Sequence, residues 1–194
     1  MFDRFLTPDA RWAWLRWLPT ILAFPLGGYL ARELVGPADQ LTATLLGGAL
    51  LGAVLGTAQA LALRSRVAPL PWIGATAVGL AVGVALGSAA VDYGTGPADL
   101  AVQGAISGAV LGAAQALALR GRLPGAWRWL PLTAVAWTLG WTVTRAAGID
   151  VERHYYNFGL SGALAATVLT GLLAVTIVRH ATIRLPVVTE GAPA

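Results

Sequence analysis

Cysteine is missing from the chain, lysine is missing, and histidine occurs twice among 194 residues. Without cysteine there are no disulfides, no thiolate nucleophile and no Cys-ligated metal or cluster. His154 and His180 fall at opposite ends of the last apolar stretch, so they cannot share one haem. No group of carboxylates lies in the middle of an apolar stretch to hold a metal or relay protons, and no phosphate-binding loop opens a helix. No metal site, no cofactor and no enzymatic activity are therefore expected. All thirteen basic residues are arginine. With the Ala, Gly, Leu and Val bias, that usage points to a bacterium with a GC-rich genome.

Charge is scarce as well, at 11% of residues, while 57% are hydrophobic. A chain of this size cannot hide so much apolar surface in one soluble core, so lipid is the expected solvent. The sequence pI of about 10.3 is not a nucleic-acid footprint, because the arginines are parcelled into short connections rather than gathered on one face.

Six spans are predicted, at about 17–35, 40–63, 70–92, 98–119, 128–147 and 156–178. Arg4, Arg11 and Arg16 precede the first; Arg64 and Arg66 follow the second; Arg120, Arg122 and Arg128 follow the fourth; Arg179 and Arg184 follow the sixth. The other connections hold Asp39, Asp99, Asp150, Glu152 and one arginine, Arg153. The positive-inside bias puts both termini in the cytoplasm, which predicts a protein of the bacterial inner (cytoplasmic) membrane. Trp12, Trp14, Trp17, Trp72, Trp127 and Trp129 fall at the cytoplasmic helix ends and Tyr29, Tyr93, Tyr155 and Tyr156 near the outer ends, where two interfacial belts are expected. Residues 1–16 read as a retained interfacial segment, with Phe2, Phe5, Leu6, Trp12 and Trp14 between arginines and a helix start at Thr7-Pro8-Asp9. Residues 17–178 form the transmembrane domain. Residues 179–194 are a cytoplasmic tail, expected to be disordered from Leu185 onward.

The spans are related by repetition. Residues 52–66, GAVLGTAQALALRSR, return at 108–122 as GAVLGAAQALALRGR, identical at thirteen of fifteen positions. A period of about 56 residues fits one helical hairpin. Trp17-Leu18-Pro19 and Trp129-Leu130-Pro131 open the first and fifth spans, and Leu70-Pro71-Trp72 opens the third with a register slip. Gly36-Pro37-Ala38-Asp39 and Gly96-Pro97-Ala98-Asp99 read as one turn used twice, with Asp39 and Asp99 capping the following helices. Three tandem hairpins, about 17–63, 70–119 and 128–178, are expected to form an all-α pseudo-threefold bundle.

Glycine recurs every four residues at Gly48, Gly52 and Gly56, at Gly79, Gly83 and Gly87, and at Gly104, Gly108 and Gly112, with a weaker stripe of Gly162, Ala166 and Thr170 on the sixth span. In lipid such zipper-like stripes act by letting backbones approach, so the even helices are expected to crowd at the centre. Gln59 and Gln115 occupy equivalent positions beside two of these stripes, where either interhelical hydrogen bonding or a polar constriction accounts for them. Leu169 stands at the third equivalent position.

A second polar set ends the odd helices: Arg32 and Glu33, Asp92 and Tyr93, and Arg145. Threefold symmetry would bring these into one layer, as paired charges or as a gate. Asp150, Glu152, Arg153, His154, Tyr155, Tyr156 and Asn157 make the third outer loop the most chemically varied segment and the first place to seek a ligand. Trp137 and Trp141, one turn apart in mid-span, either fill the core or line a pocket.

Gly159-Leu160-Ser161-Gly162 resembles the serine motif of rhomboid intramembrane proteases, but no later span supplies the histidine that activates such a serine, and Ser107-Gly108 repeats the pair in the second hairpin. The repeated G-x-x-x-G-x-x-Q-x-L-x-L-R hairpin resembles that of uncharacterised small bacterial polytopic membrane proteins, which implies no particular activity. In size, span number and small-residue faces the chain is also similar to the substrate-binding components of energy-coupling importers. Transport or binding of a small molecule or ion is the expected function; the alternative is a non-catalytic subunit or scaffold that packs against a partner membrane protein or a second copy.

Overall fold

Seven α-helices account for most of the chain in the computed structural model, which describes residues 8–123 and 125–183. They are α1 (Pro8–Trp17), α2 (Ala23–Val35), α3 (Leu41–Leu63), α4 (Pro69–Ala90), α5 (Pro97–Ala118), α6 (Trp129–Ala146) and α7 (Leu160–Ile183). Short 3-10 segments lie at Leu18–Leu22, Arg64–Arg66 and Ala126–Arg128. Pro69 and Pro97 take the first positions of α4 and α5, where a missing N–H leaves no bond unmade. Three helices, α3, α4 and α5, are long and apolar enough to cross a membrane. At 1.5 Å per residue the 23 residues of α3 reach the roughly 30 Å of a hydrocarbon core, which marks the chain as a membrane protein.

Consecutive helices from α2 to α7 pack side by side, and α7 closes the arrangement against α1 and the Leu18–Leu22 segment while touching α2 only slightly. Glycine explains the closest of these seams. A Cβ on Gly52 would sit 2.6 Å from the Thr76 carbonyl oxygen, and one on Gly48 2.7 Å from that of Leu80. The second copy repeats the seam one hairpin later: a Cβ on Gly104 would lie 2.8 Å from the Trp137 carbonyl oxygen, and one on Gly112 2.7 Å from Leu130 Cα. Gly83 and Gly87 bring α4 equally close to Ser107 and Gln103 of α5. The stripes thus face the next helix along the chain instead of crowding the even helices together at the centre.

The interior has two apolar clusters. One, toward the acidic connections, contains Phe24, Leu51, Leu55, Leu80, Leu111, Trp137, Trp141, Tyr156 and Phe158. The other, at the arginine-bearing end, contains Trp17, Leu63, Trp72, Leu119, Trp129 and Ile177. Along α3 and α5, Gln59 and Gln115 stand between the two clusters. Three of the expected belt tryptophans, Trp17, Trp72 and Trp129, are each only 1% exposed and therefore belong to the core. Trp12 and Trp127 remain exposed, as does Tyr29. Tyr156 leaves the expected outer belt for the same reason as the tryptophans: the bundle has a hollow that only a large ring fills.

Three further expectations change. The first span is a 3-10 segment running into α2, and the last helix begins at Leu160 rather than 156, because residues 150–159 fold inward instead of winding. The segment α1 packs on α7, with Trp14 against Gly171, so it is more than a surface strip. Asp99 accepts a 3.1 Å bond from the Gly96 N–H, whereas Asp39 caps nothing: α3 starts after an extended Gln40 with no side-chain cap. Phe2, Phe5, Leu6, Arg4, Thr7 and the tail from Arg184 lie outside the described residues.

Candidate functional site

Polar side chains gather in two places, one at each end of the bundle. At the arginine end the repeated glutamines meet. Gln115 Nε2 donates to Gln59 Oε1 at 2.9 Å and lies 3.1 Å from Thr76 Oγ1, and Trp72 Nε1 donates to Gln59 Oε1 at 3.3 Å. Both amides are buried, Gln59 at 5% and Gln115 at 1% exposure. On α7 it is Thr170, not Leu169, that plays the part Gln59 plays toward Trp72: Thr170 is buried and its hydroxyl accepts from Trp17 Nε1 at 3.3 Å. Thr170 is the next residue along α7 from the aligned one, a rotation of about 100°, which exchanges a partly buried position for a buried one. Trp129, which matches Trp17 and Trp72 in the sequence, has no partner for its Nε1.

At the acidic end the third connection folds back into the bundle. Val151, Tyr156 and Phe158 are buried at 3%, 1% and 2% exposure. Tyr156 lays its ring against Gly47 and donates from its hydroxyl to the Ala43 carbonyl at 3.1 Å. Phe158 packs between Phe24, Trp141 and Trp137, its ring centroid 4.9 Å from that of Trp137 in a T-shaped contact. The loop is then tied to its neighbours. The Ala38 N–H donates to the His154 carbonyl at 3.0 Å, His154 Nε2 lies 3.1 Å from the Tyr93 carbonyl, and Arg32 donates from Nη1 to the Arg153 carbonyl. His154 holds a left-handed backbone, φ 52°, at this junction.

Between α2, this loop, the start of α7 and the end of α6 lies a partly open cavity of about 560 Å³. Pro25, Gly28, Tyr29 and Arg32 line it from α2 at a spacing of three and four residues, which places them on one helix face. Trp141, Phe158 and Leu160 supply apolar walls, and Glu33, Arg153, Tyr155 and Asn157 supply polar groups. The Arg32 guanidinium lies 5.7 Å from the centre of the Tyr155 ring, a cation–π distance. Arg153 Nε meets Asp150 Oδ2 at 3.0 Å, and Tyr155 first, then Asp150, holds the Arg153 guanidinium above its ordinary value. The Asn157 carboxamide occupies the space that a Cβ on Gly28 would need.

No protein-family model, no curated protein and no solved structure matches the chain.

Of the residues singled out in the sequence, Arg32, Glu33, Trp141 and Tyr155 line the cavity. His154 and Tyr156 instead brace the loop above it, and Trp137 is core. The expected charged layer does not form among the described residues: Asp92 and Arg145 are exposed and make no ion pair with Arg32, Glu33 or each other. Asn157, one of the polar residues of the third connection singled out in the sequence, also lines the cavity, whereas sequence reasoning missed Gly28 and Phe158. The signal for them was a set of isolated glycines outside the stripes, Gly28, Gly47 and Gly140, each of which receives a side chain of the third connection.

Chemically, the cavity offers a guanidinium and a carboxylate at its mouth and aromatic surface below. It offers hydrogen bonding, charge and apolar contact together, the usual composition of a binding site.

Proposed function

We propose that this chain is a six-span membrane protein, with the arginine end and both termini in the cytoplasm, that binds a small molecule in the cavity at its opposite end as part of a transport or membrane-binding role. The observation that carries this reading is the 560 Å³ cavity with charge at its mouth and aromatic walls, held by a loop pinned at Ala38, Tyr93 and Ala43. Such pinning lowers the ordering cost of binding. The bundle axis beneath is filled by Leu51, Leu55, Leu80 and Trp137, which favours a site entered from one face over an open pore. The glycine stripes are used inside the chain, which weighs against a scaffold that docks partners through them.

Native mass spectrometry of the protein extracted with its own lipids tests the reading. One small molecule per chain is expected, and it should be lost in Leu160→Trp, where the added ring fills the cavity. A bare chain, or one carrying a partner protein and no small molecule, would move the assignment to the subunit role. The absence of native cysteine makes the orientation equally testable. A membrane-impermeant maleimide applied to intact cells should label Ala147→Cys and leave Arg122→Cys untouched until the membrane is opened; the reverse pattern inverts the topology.

A further inference from the structure

The cavity is graded along α2. Along the helix axis its lining runs from an exposed Pro25 and a buried Gly28, through Tyr29, to Arg32 and Glu33 at the helix end. From Pro25 to Glu33 the helix rises about 12 Å at 1.5 Å per residue, so charge lies toward the end of the helix and apolar surface toward the middle of the bundle. A membrane lipid has the same polarity along the same direction. Two of its lining residues are strongly exposed, Tyr29 of α2 at 63% and Leu160 at the start of α7 at 67%, so the lining reaches the outer surface of the bundle on that side. A molecule in the bilayer reaches it sideways without leaving lipid.

Charge narrows the choice of head group. Among the described residues the ion pair is Arg153 with Asp150, which leaves Arg32 and Glu33 in the lining with no oppositely charged partner. Arg32 uses one of its five donors on the Arg153 carbonyl, and the others are free for an oxyanion. A purely anionic head on Arg32 would stand beside the Glu33 carboxylate. A head carrying an ammonium next to its phosphate satisfies both residues, since complementary charge rejects the wrong partner as well as attracting the right one.

Resting on the binding reading above, we propose that the cavity holds the head and upper chain of a zwitterionic phospholipid of the phosphoethanolamine type, phosphate on Arg32 and ammonium on Glu33. A volume of about 560 Å³ admits the head and the start of one chain, with the remaining chain length lying in the bilayer along α2 and α7.

The test reconstitutes the full chain in vesicles of equal parts phosphatidylethanolamine and phosphatidylglycerol, followed by gentle extraction and native mass spectrometry. One phosphatidylethanolamine per chain is expected, preferred over phosphatidylglycerol by about tenfold. Glu33→Gln should reduce that preference to about twofold or less, Arg32→Gln should abolish retention of either lipid, and Arg32→Lys should restore part of it. Equal retention of the two lipids by the wild type, or an unchanged preference in Glu33→Gln, overturns the proposal. So does displacement of the bound lipid by millimolar soluble phosphoethanolamine, which would assign the site to a free solute of the same chemistry. If the cell-extracted protein carries a different small molecule and shows no lipid preference, the binding reading survives and the phospholipid assignment fails. Circular dichroism and a monodisperse elution profile, expected to match wild type for all three variants, separate loss of binding from loss of fold.

Discussion

At the arginine end, Gln59 and Gln115 bond each other across α3 and α5, and the tryptophans around them are sealed from the surface. At the acidic end, Arg32 is half-buried, bonds a loop carbonyl and keeps most of its donors for something else. The difference lies in what faces each polar group. The amides have each other, because a repeated sequence puts equal residues at equal heights. The arginine has no repeated partner, since Asp92 and Arg145, its counterparts in the other hairpins, point away. In an apolar medium a polar group that meets its own kind becomes structure, and one left at the edge of a cavity becomes available to a ligand.

The sharpest way to break the arginine-end half of this contrast is Gly52→Ile. Its Cβ would begin 2.6 Å from a backbone oxygen that has no room to retreat, so the seam opens. A loss of about 3 kcal/mol or more is expected, seen as failure to elute as a monodisperse species. Phe158→Ala attacks the other end. Removing a ring packed on Phe24, Trp137 and Trp141 should cost about 3 kcal/mol and also collapse the cavity wall, so stability and ligand retention fall together. Next in size, Gln59→Leu and Gln115→Leu measured singly and together should show a coupling of about 0.6–1.7 kcal/mol by reversible unfolding in detergent or bicelles, with the double variant less unstable than the two losses added. A coupling near zero would mean that the amides do not bond. Arg32→Gln should change stability least, within about 0.5 kcal/mol, while ligand retention is lost. That split between stability and binding is what distinguishes the acidic end.

One tetrapeptide shows how local sequence and surroundings divide the work. Gly96-Pro97-Ala98-Asp99 starts α5 directly, with Pro97 in its first position and Asp99 bonding back to Gly96. Gly36-Pro37-Ala38-Asp39 does not start α3, which begins at Leu41. There Gly36 has φ 101°, Ala38 is buried, and its N–H is taken by the His154 carbonyl. The local signal is the same in both copies. The third connection lies beside the first copy and supplies a competing bond, and an exposed Asp39 has no cap strong enough to resist it.

The helices were legible because length, apolar run and proline position are local properties, and the glycine seams were legible because a four-residue spacing is a helix face whatever lies opposite. The partner of each seam was not. A stripe says that something comes close, and it is the neighbour along the chain, α4 for α3 and α6 for α5, that does. The candidate site was legible in part. Arg32, Tyr155 and Asn157 stood out by type, but Phe158 sits in a connection whose inward course no periodicity announces. Tyr156 and the core tryptophans were misread as belts, since an amphipathic ring near a helix end suits an interface and a filled hollow equally.

Composition, repetition and spacing by themselves determined an all-helical chain with spans long enough for lipid and close-packed glycine faces, because these follow from rise per residue, transfer of apolar surface and the reach of a Cβ. Only the tertiary structure decided that the two glutamines bond, that Thr170 rather than Leu169 accepts a tryptophan N–H, and that the third connection plugs the bundle and leaves a charged-mouthed cavity beside α2. Those outcomes depend on which rings fill a hollow three other helices create, and on the height and rotation at which each helix ends.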